Sequence, residues 1–389
     1  MIRELIQSAY YPREISAMFK IKMSGFGGSK VKAPLDDLAT KLDDSEFCYA
    51  ALKKVSRSFA AVIDQLPPEL RDPICIFYLV LRGLDTIEDD TSFPDEQKHP
   101  LLLEFYSKSL DPEWSIEGVG DAEDYKILLA NYFRVSRSFQ RLEEKYQLVI
   151  MDICKRMGEG MVEFSEKPVN SKEDYDKYCH YVAGLVGIGL SQLFTISGRE
   201  DVMLSQREDL SNSMGLFLQK TNIVRDYNED LNFGRSFWPK EIWGRYAETL
   251  DAFEKNPASP VSLACLNHMV KNALHHAKDS LEYLSAIDDP KVFRFCAIPQ
   301  AMAIATLSKV YNNPEVFTGV VKIRKGLTAL MMLQLNDFAT AKRYFRFFSM
   351  ELMNKLDRND PNYVETKDIL IEIIAVCNAK PSYRAMEIA

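Results

Sequence analysis

A chain of 389 residues, 47% hydrophobic and 27% charged, has an ordinary globular composition and can bury a sizeable core. Its formal net charge of −8 excludes a general nucleic-acid binder, because nothing supplies a broad phosphate-neutralising surface. The seven cysteines, at 48, 75, 154, 179, 265, 296 and 377, form no CxxC pair. That odd, scattered set argues against a zinc site or a complete disulfide framework and suits a reducing compartment.

Met1 to Tyr10 carries charges and lacks the apolar core of a signal peptide. Residues 1–34 read as a flexible N-terminal segment. Within it, Met23–Pro34 holds Gly25, Gly27 and Gly28 with lysines close by, but without the spacing of a P-loop, so a surface loop is expected. Farther on, apolar residues recur every three or four positions over 45–64, 68–89, 123–165, 172–197, 207–231, 260–285, 291–310 and 325–356, which predicts helices. Pro67 and Pro68 suit a helix's first turn, where a missing N–H costs little. Ser171 with Asp174 predicts a capping box. Breaks fall at Ser92–Pro94, Gly118–Gly120, Pro168, Gly234, Pro257–Pro260, Asp288–Pro290 and Asn312–Pro314. These connections are short, so one large all-α domain is predicted over 35–378, with 379–389 as a tail. No apolar run reaches about 18 residues, the length that spans a bilayer. The nearest, Phe295–Leu307, contains Pro299 and Gln300 and reads as a buried helix.

The strongest chemical signal is a pair of carboxylate clusters. Asp85-Thr-Ile-Glu88-Asp89-Asp90 and Asp226-Tyr-Asn-Glu229-Asp230 both read D-x-x-E-D. On a helix, positions i, i+3 and i+4 share a face, so each motif is expected to gather three carboxylates on one side. The preceding stretches, Ile74–Gly83 and Leu216–Val224, are mostly apolar, which places each cluster at the end of a buried helix. Three carboxylates in one turn repel one another unless cations intervene. Magnesium takes oxygen ligands and often bridges carboxylates to a substrate phosphate. Two such faces therefore point to two diphosphate-handling sites, or to one cavity with two walls.

Arginines stand beside both motifs: Arg82 three residues before Asp85, and Arg225 directly before Asp226, with Arg57 in Val55-Ser-Arg-Ser-Phe59. Guanidinium forks suit phosphate oxygens, although each could equally be an ion pair to a neighbouring carboxylate. The recurrence of Val-Ser-Arg-Ser-Phe at 135–139 has no other similarity around it and reads as coincidence.

At this point the sequence resembles the squalene synthases. The resemblance rests on Arg57-Ser-Phe-Ala-Ala-Val-Ile, Phe77–Asp90, Tyr178–Gly189, Phe217–Asp230, Gly234-Arg-Ser-Phe-Trp-Pro239, Phe295–Gln300 and Val321–Gly326, spread over about residues 35–355. It implies an isoprenoid-synthase helical fold with a central cavity. In that cavity two farnesyl diphosphates would join head to head to presqualene diphosphate, which NADPH would then reduce to squalene. By match to the motifs, magnesium would be held by Asp85, Glu88 and Asp89 and, opposite, by Asp226 and Asp230. Arg57, Arg82, Arg225, Lys322 and Arg324 would take NADPH phosphates. The implied catalytic set is Tyr178, Asp85, Asp89, Asp226, Asp230 and Arg235. Ser56, Arg57, Arg82, Asn222, Phe295 and Gln300 would bind substrate.

Tyr178 would handle protons and steady positive charge through its ring. His180, beside it, is left as structural. Gly184, Gly187 and Gly189 inside that helix suggest close packing or room for a substrate chain. A monomer is expected, placed on the cytosolic face of the endoplasmic reticulum. Such proteins often carry a C-terminal membrane anchor. Pro381–Ala389 contains no apolar span, and a trimmed anchor is the favoured reading. The rivals are a phytoene or dehydrosqualene synthase, which needs no hydride, and a helical scaffold with acidic surface motifs. Lys322-x-Arg324-Lys325 and Gly234-Arg235-Ser-Phe-Trp favour the reductive enzyme.

Overall fold

Apolar residues at three- and four-residue spacing become buried stripes of long helices. In chain order the principal helices are α1 (Pro12–Ser24), α2 (Asp44–Val55), α3 (Arg57–Ile63), α4 (Pro68–Asp89), α5 (Asp95–Lys108), α6 (Glu144–Glu166), α7 (Lys172–Ile196), α8 (Glu208–Arg225), α9 (Tyr227–Asn232), α10 (Pro260–Leu274), α11 (Ala277–Ser285), α12 (Pro290–Val310), α13 (Lys325–Gln334), α14 (Phe338–Asn354) and α15 (Tyr363–Asn378). The structure is a computed structural model that describes residues 11–24 and 33–379, without the side chains of 22–24, 57 and 58. Among the described residues there is no strand. The expected features at Met1–Tyr10, Gly25–Gly28, the Arg57 side chain and Pro381–Ala389 lie outside the described residues.

α8 is the hub. It packs on α7, α10, α11 and α12, while α4 packs on α6 and α7. The joint core includes Phe77, Leu84, Ile153, Leu185, Phe217 and Ile304. Truncating a residue such as Phe217, which is fully buried, would cost about 3–5 kcal/mol. α7 and α8 touch backbone to backbone. A Cβ on Gly187 would lie 2.2 Å from the Ser211 carbonyl oxygen, and one on Gly215 would lie 2.2 Å from that of Ala183. Close packing, one of the two readings of the α7 glycines, is thus what Gly187 provides. α7 is long and apolar enough to cross a membrane by length and composition, but here it lies against α4, α6 and α8. Phe295–Leu307 falls within α12, which runs through Pro299 and is buried on most of its surface.

The Ser171–Asp174 capping box is present, with Asp174 N–H donating to Ser171 Oγ at 3.0 Å and Ser171 N–H donating to Asp174 Oδ2 at 3.0 Å. All seven cysteines are buried and free. The helices differ from expectation at breaks that apolar spacing cannot register. Ser56 adopts an extended backbone and splits 45–64 into α2 and α3. Residues 123–165 form three helices, Glu123–Ala130, Tyr132–Gln140 and α6. Within the segment expected to be flexible, residues 12–24 form α1, which docks on α13. Its Glu14 is buried against Arg324, a partner that local sequence does not reveal.

Candidate active site

The first acidic motif ends α4. Asp85, Glu88 and Asp89 share a face, as their spacing predicts, while Leu84 and Ile87 are buried in the core. Asp85 and Asp89 keep 32% and 34% of their side-chain surface open, so they border a cleft that solvent can reach. Asp90 is occupied otherwise: it accepts hydrogen bonds from Ser92 N–H and from Gly120 N–H at 2.8 and 2.7 Å.

The second motif departs from expectation. α8 stops at Arg225, and Asp226 (φ −95°, ψ 13°) forms a kink before α9. Its carboxylates therefore do not lie on one unbroken helix face, and Glu229 is exposed. Asp226 and Asp230 stay one turn apart, because Asp230 N–H donates to the Asp226 carbonyl at 2.9 Å. The first motif thus sits at the C-terminal end of α4, whereas the second straddles a junction, with Asp226 closing α8 and Glu229 and Asp230 in the first turn of α9. At the end of α4 the macrodipole is negative and disfavours carboxylates. The fold concentrates negative potential where a cation would be welcome.

Arg235 brings the two motifs together. Its Nη1 pairs with Asp89, 146 residues away, and its Nη2 lies 3.9 Å from Asp230. Local chemistry fixes this placement. Gly234 has φ +71°, Gly234 N–H donates to the Leu231 carbonyl at 2.9 Å, and Arg235 N–H donates to the Asp230 carbonyl at 2.9 Å. That is a Schellman cap, whose positive-φ position favours glycine. It turns the chain so that Arg235 folds back over Asp230.

The carboxyls register the crowding. Burial, opposed by Arg82 and reinforced by Asp89, pushes Asp85 up to about 6. Burial and the charges of Asp89 and Asp85 also raise Glu88. Burial raises Asp89 despite the Arg235 guanidinium. Across the cleft, burial pushes Asp230 up to about 7; Arg235 opposes the shift, and Asp226, Glu229 and Asp89 add to it.

Tyr178 faces the same space from α7, two residues before a π-helical turn at His180–Gly184. Its ring stacks on Phe237 at 4.9 Å and meets Phe164 edge-on at 5.5 Å. Burial, then the charges of Glu88, Asp89 and Asp85, hold its hydroxyl well above the usual phenol range. In this state the phenol keeps its proton.

The remaining expected residues divide. Arg82 lies 3.6 Å from Asp85, hydrogen-bonds Tyr78 at 3.1 Å and sits 5.4 Å over the Tyr125 ring. Arg225 donates to its neighbour Asp226 at 2.7 Å. Asn222 is exposed one turn before Asp226, and Ser56 is half-buried at the start of α3. Phe295 packs edge-on against Phe194. Gln300 donates to the Met214 carbonyl at 3.2 Å, while its buried Oε1 has no partner. Lys322 is exposed. Arg324, expected as part of a free basic block, donates to Glu14 at 2.6 and 3.0 Å and covers the Tyr11 ring at 3.9 Å. His180 Nδ1 lies 2.7 Å from Asn212 Oδ1, in keeping with a structural role.

Sequence reasoning missed Lys98, which is buried and donates to the Glu88 carbonyl at 3.2 Å, and gave Phe237 no role of its own. Phe237 was within reach, since it belongs to the Gly234–Pro239 block. Lys98 carries no local signal. An open groove of about 470 Å³, lined by Leu148, Val149, Gln192 and Ile196, lies toward the other end of α7 from Tyr178 and borders neither acidic motif.

The donors suit magnesium shared with a phosphate group, and not an all-protein cage. Among the described residues no three carboxylate, histidine or cysteine side chains converge closely enough to hold an ion alone. Structural zinc sites want such convergence, and calcium takes six to eight oxygens; magnesium usually takes one or two carboxylates, keeps water and completes its shell with phosphate. Asp85, Glu88 and Asp89 on one side and Asp226 and Asp230 on the other supply oxygen alone. Burial is the chief cause of the raised carboxyls, and Arg82, Arg235 and Lys98 oppose it only in part.

The sequence matches the squalene/phytoene synthase family over residues 52–326. It is similar to the squalene synthase of Nicotiana benthamiana, 48% identical over 369 residues that cover 94% of this chain and 87% of the relative. It is also similar to that of Mus musculus, 46% identical over 370 residues that cover 95% and 88%. A solved structure described as the complex of TcSQS with the ligand E5700 superposes with a TM-score of 0.84 at 44% identity, covering 86% of this chain and 98% of that one.

Proposed function

Because this chain belongs to the squalene/phytoene synthase family, we propose that it joins two farnesyl diphosphates to presqualene diphosphate and reduces that intermediate to squalene. The observation that supports the site assignment is the position of Arg235 between Asp89 and Asp230, which favours reading the two acidic motifs as opposite walls of one cleft.

Magnesium, when bound, would neutralise the diphosphates, and NADPH, when bound, would supply the hydride. Asp85, Glu88 and Asp89 on one wall and Asp226 and Asp230 on the other would hold the metal. Arg82 and Arg235 offer forked donors to the departing diphosphate, stabilising charge that develops as its C–O bond breaks. The first farnesyl chain becomes an allylic cation. The double bond of the second attacks it, and loss of one proton closes the cyclopropane. Tyr178 is placed to relay that proton, giving its own to the diphosphate and accepting the one released. The stacked rings of Tyr178 and Phe237 present an aromatic surface that steadies a cation and excludes water, which would trap it as an alcohol. Arg57, Arg82, Arg225 and Lys322 are proposed contacts for the NADPH phosphates. Arg324 joins them only by exchanging Glu14 for a phosphate. Action on the cytosolic face of the endoplasmic reticulum belongs to the same reading.

Calorimetry with an unreactive farnesyl diphosphate analogue tests the metal walls. Tight binding is expected with magnesium and little without it. Protons should also be released. In the metal-free protein Asp85, Asp230 and Glu88 are pushed up to about 6, 7 and 8, above the ordinary carboxylate range near 4. The native chain therefore holds more protons than the unfolded chain between about pH 4 and 8, and metal-free stability falls as pH rises through that window. Magnesium requires the ionised carboxylates, so its affinity should rise with pH up to about 8, where Glu88 titrates, and the release should fade above that. Equal analogue binding with and without magnesium, or no buffer-dependent heat at pH 6, would count against these walls.

A further inference from the structure

We propose that Arg235 is a built-in counter-cation. It occupies the space between the acidic walls until divalent metal takes Asp89 and Asp230, and its release makes diphosphate capture depend on metal loading. The proposal rests on the reading above that these carboxylates are metal ligands.

Three features of the structure support it. Arg235 is the side chain that spans the cleft, paired with Asp89 and 3.9 Å from Asp230, with the Phe233 ring 5.4 Å away. Its backbone is fixed by the Gly234 cap, so exchange needs side-chain rotation alone. Its buried Nε has no hydrogen-bond partner, so the guanidinium balances carboxylates here without satisfying its own donors. A fork with a donor to spare is poised to turn toward an anion.

One delocalised positive charge faces Glu88, Asp89 and Asp230, and so leaves the walls undercompensated. A divalent ion on the same carboxylates balances them better and repels the guanidinium. Arg235, pushed off, then points a free fork into the cleft. Without metal, a diphosphate would meet bare carboxylates and an arginine already engaged. With metal, it would meet cations on the walls and an unpaired guanidinium.

The test uses the 389-residue chain, titrated with magnesium alone and followed by calorimetry and by thermal midpoint. Arg235→Gln should bind magnesium about tenfold tighter than the parent, because the ion no longer displaces a charge-assisted pair. Its midpoint at pH 8 without metal should be lower, and its gain on adding magnesium larger. Arg235→Lys, a point charge that cannot fork, should bind magnesium a few-fold tighter than the parent. If Arg235→Gln does not fold, the comparison of Arg235→Lys with the parent decides. Inorganic pyrophosphate should bind the parent only with magnesium present. Magnesium affinity equal to or weaker than the parent's in these variants would overturn the exchange while leaving the metal sites intact. No magnesium binding to parent or variant, even with pyrophosphate, would overturn the metal reading and the exchange with it.

Discussion

Asp85→Asn and Asp226→Asn are each expected to lower squalene formation by about a thousandfold, with the helical circular dichroism signal unchanged. Each substitution removes a charge and keeps the shape. Asp85 lies in the first motif with its carboxyl raised by burial, so the folded chain gains nothing from its ionisation. It also lies near the C-terminal end of α4, where the macrodipole disfavours it. A residue unfavourable to the fold at that position has its use elsewhere. Asp226 stands at the kink between α8 and α9 and faces Arg225. Loss of its charge should free Arg225 and unbalance the second wall. Analogue binding should weaken in parallel with turnover. Near-normal activity in either variant would show that its motif is no metal wall.

Tyr178→Phe is expected to slow presqualene diphosphate formation by about 10²- to 10⁴-fold, the usual contribution of one positioned acid–base group. The ring would still stack on Phe237 and meet Phe164, so cation stabilisation and water exclusion survive and the hydroxyl alone is tested. Quenched-flow product analysis from farnesyl diphosphate measures the step directly. The parent hydroxyl is held protonated by burial and by the neighbouring carboxylates, so it can give a proton before it takes one. Presqualene diphosphate accumulating at the parent rate would remove Tyr178 from the first half-reaction and leave its ring a packing role.

Much of this architecture was legible in the sequence, for reasons that also explain the gaps. The first acidic motif was readable because i, i+3 and i+4 on an unbroken helix fix a face. The second motif has the same spacing, yet Asp226 leaves helical geometry, and apolar periodicity is blind to a one-residue kink. Gly234 was readable as a break. That it forms the cap delivering Arg235 to Asp89 was not, because the pair is 146 residues apart and set by tertiary packing. Arg324 read as part of a basic block open to phosphate. Its engagement by Glu14, across 310 residues, depends on α1 docking, which a charged and glycine-containing N-terminal stretch did not announce. The α7 glycines left two readings open, and the 2.2 Å approach of the Ser211 carbonyl oxygen to a Cβ on Gly187 accounts for that glycine by packing.

The most direct test of the central claim is product analysis after incubation with farnesyl diphosphate and magnesium, with and without NADPH. Squalene should form with NADPH, and presqualene diphosphate should accumulate without it. The same hydrocarbon formed whether or not NADPH is present would contradict the reductive assignment, and no conversion of farnesyl diphosphate under either condition would contradict the assignment of the cleft.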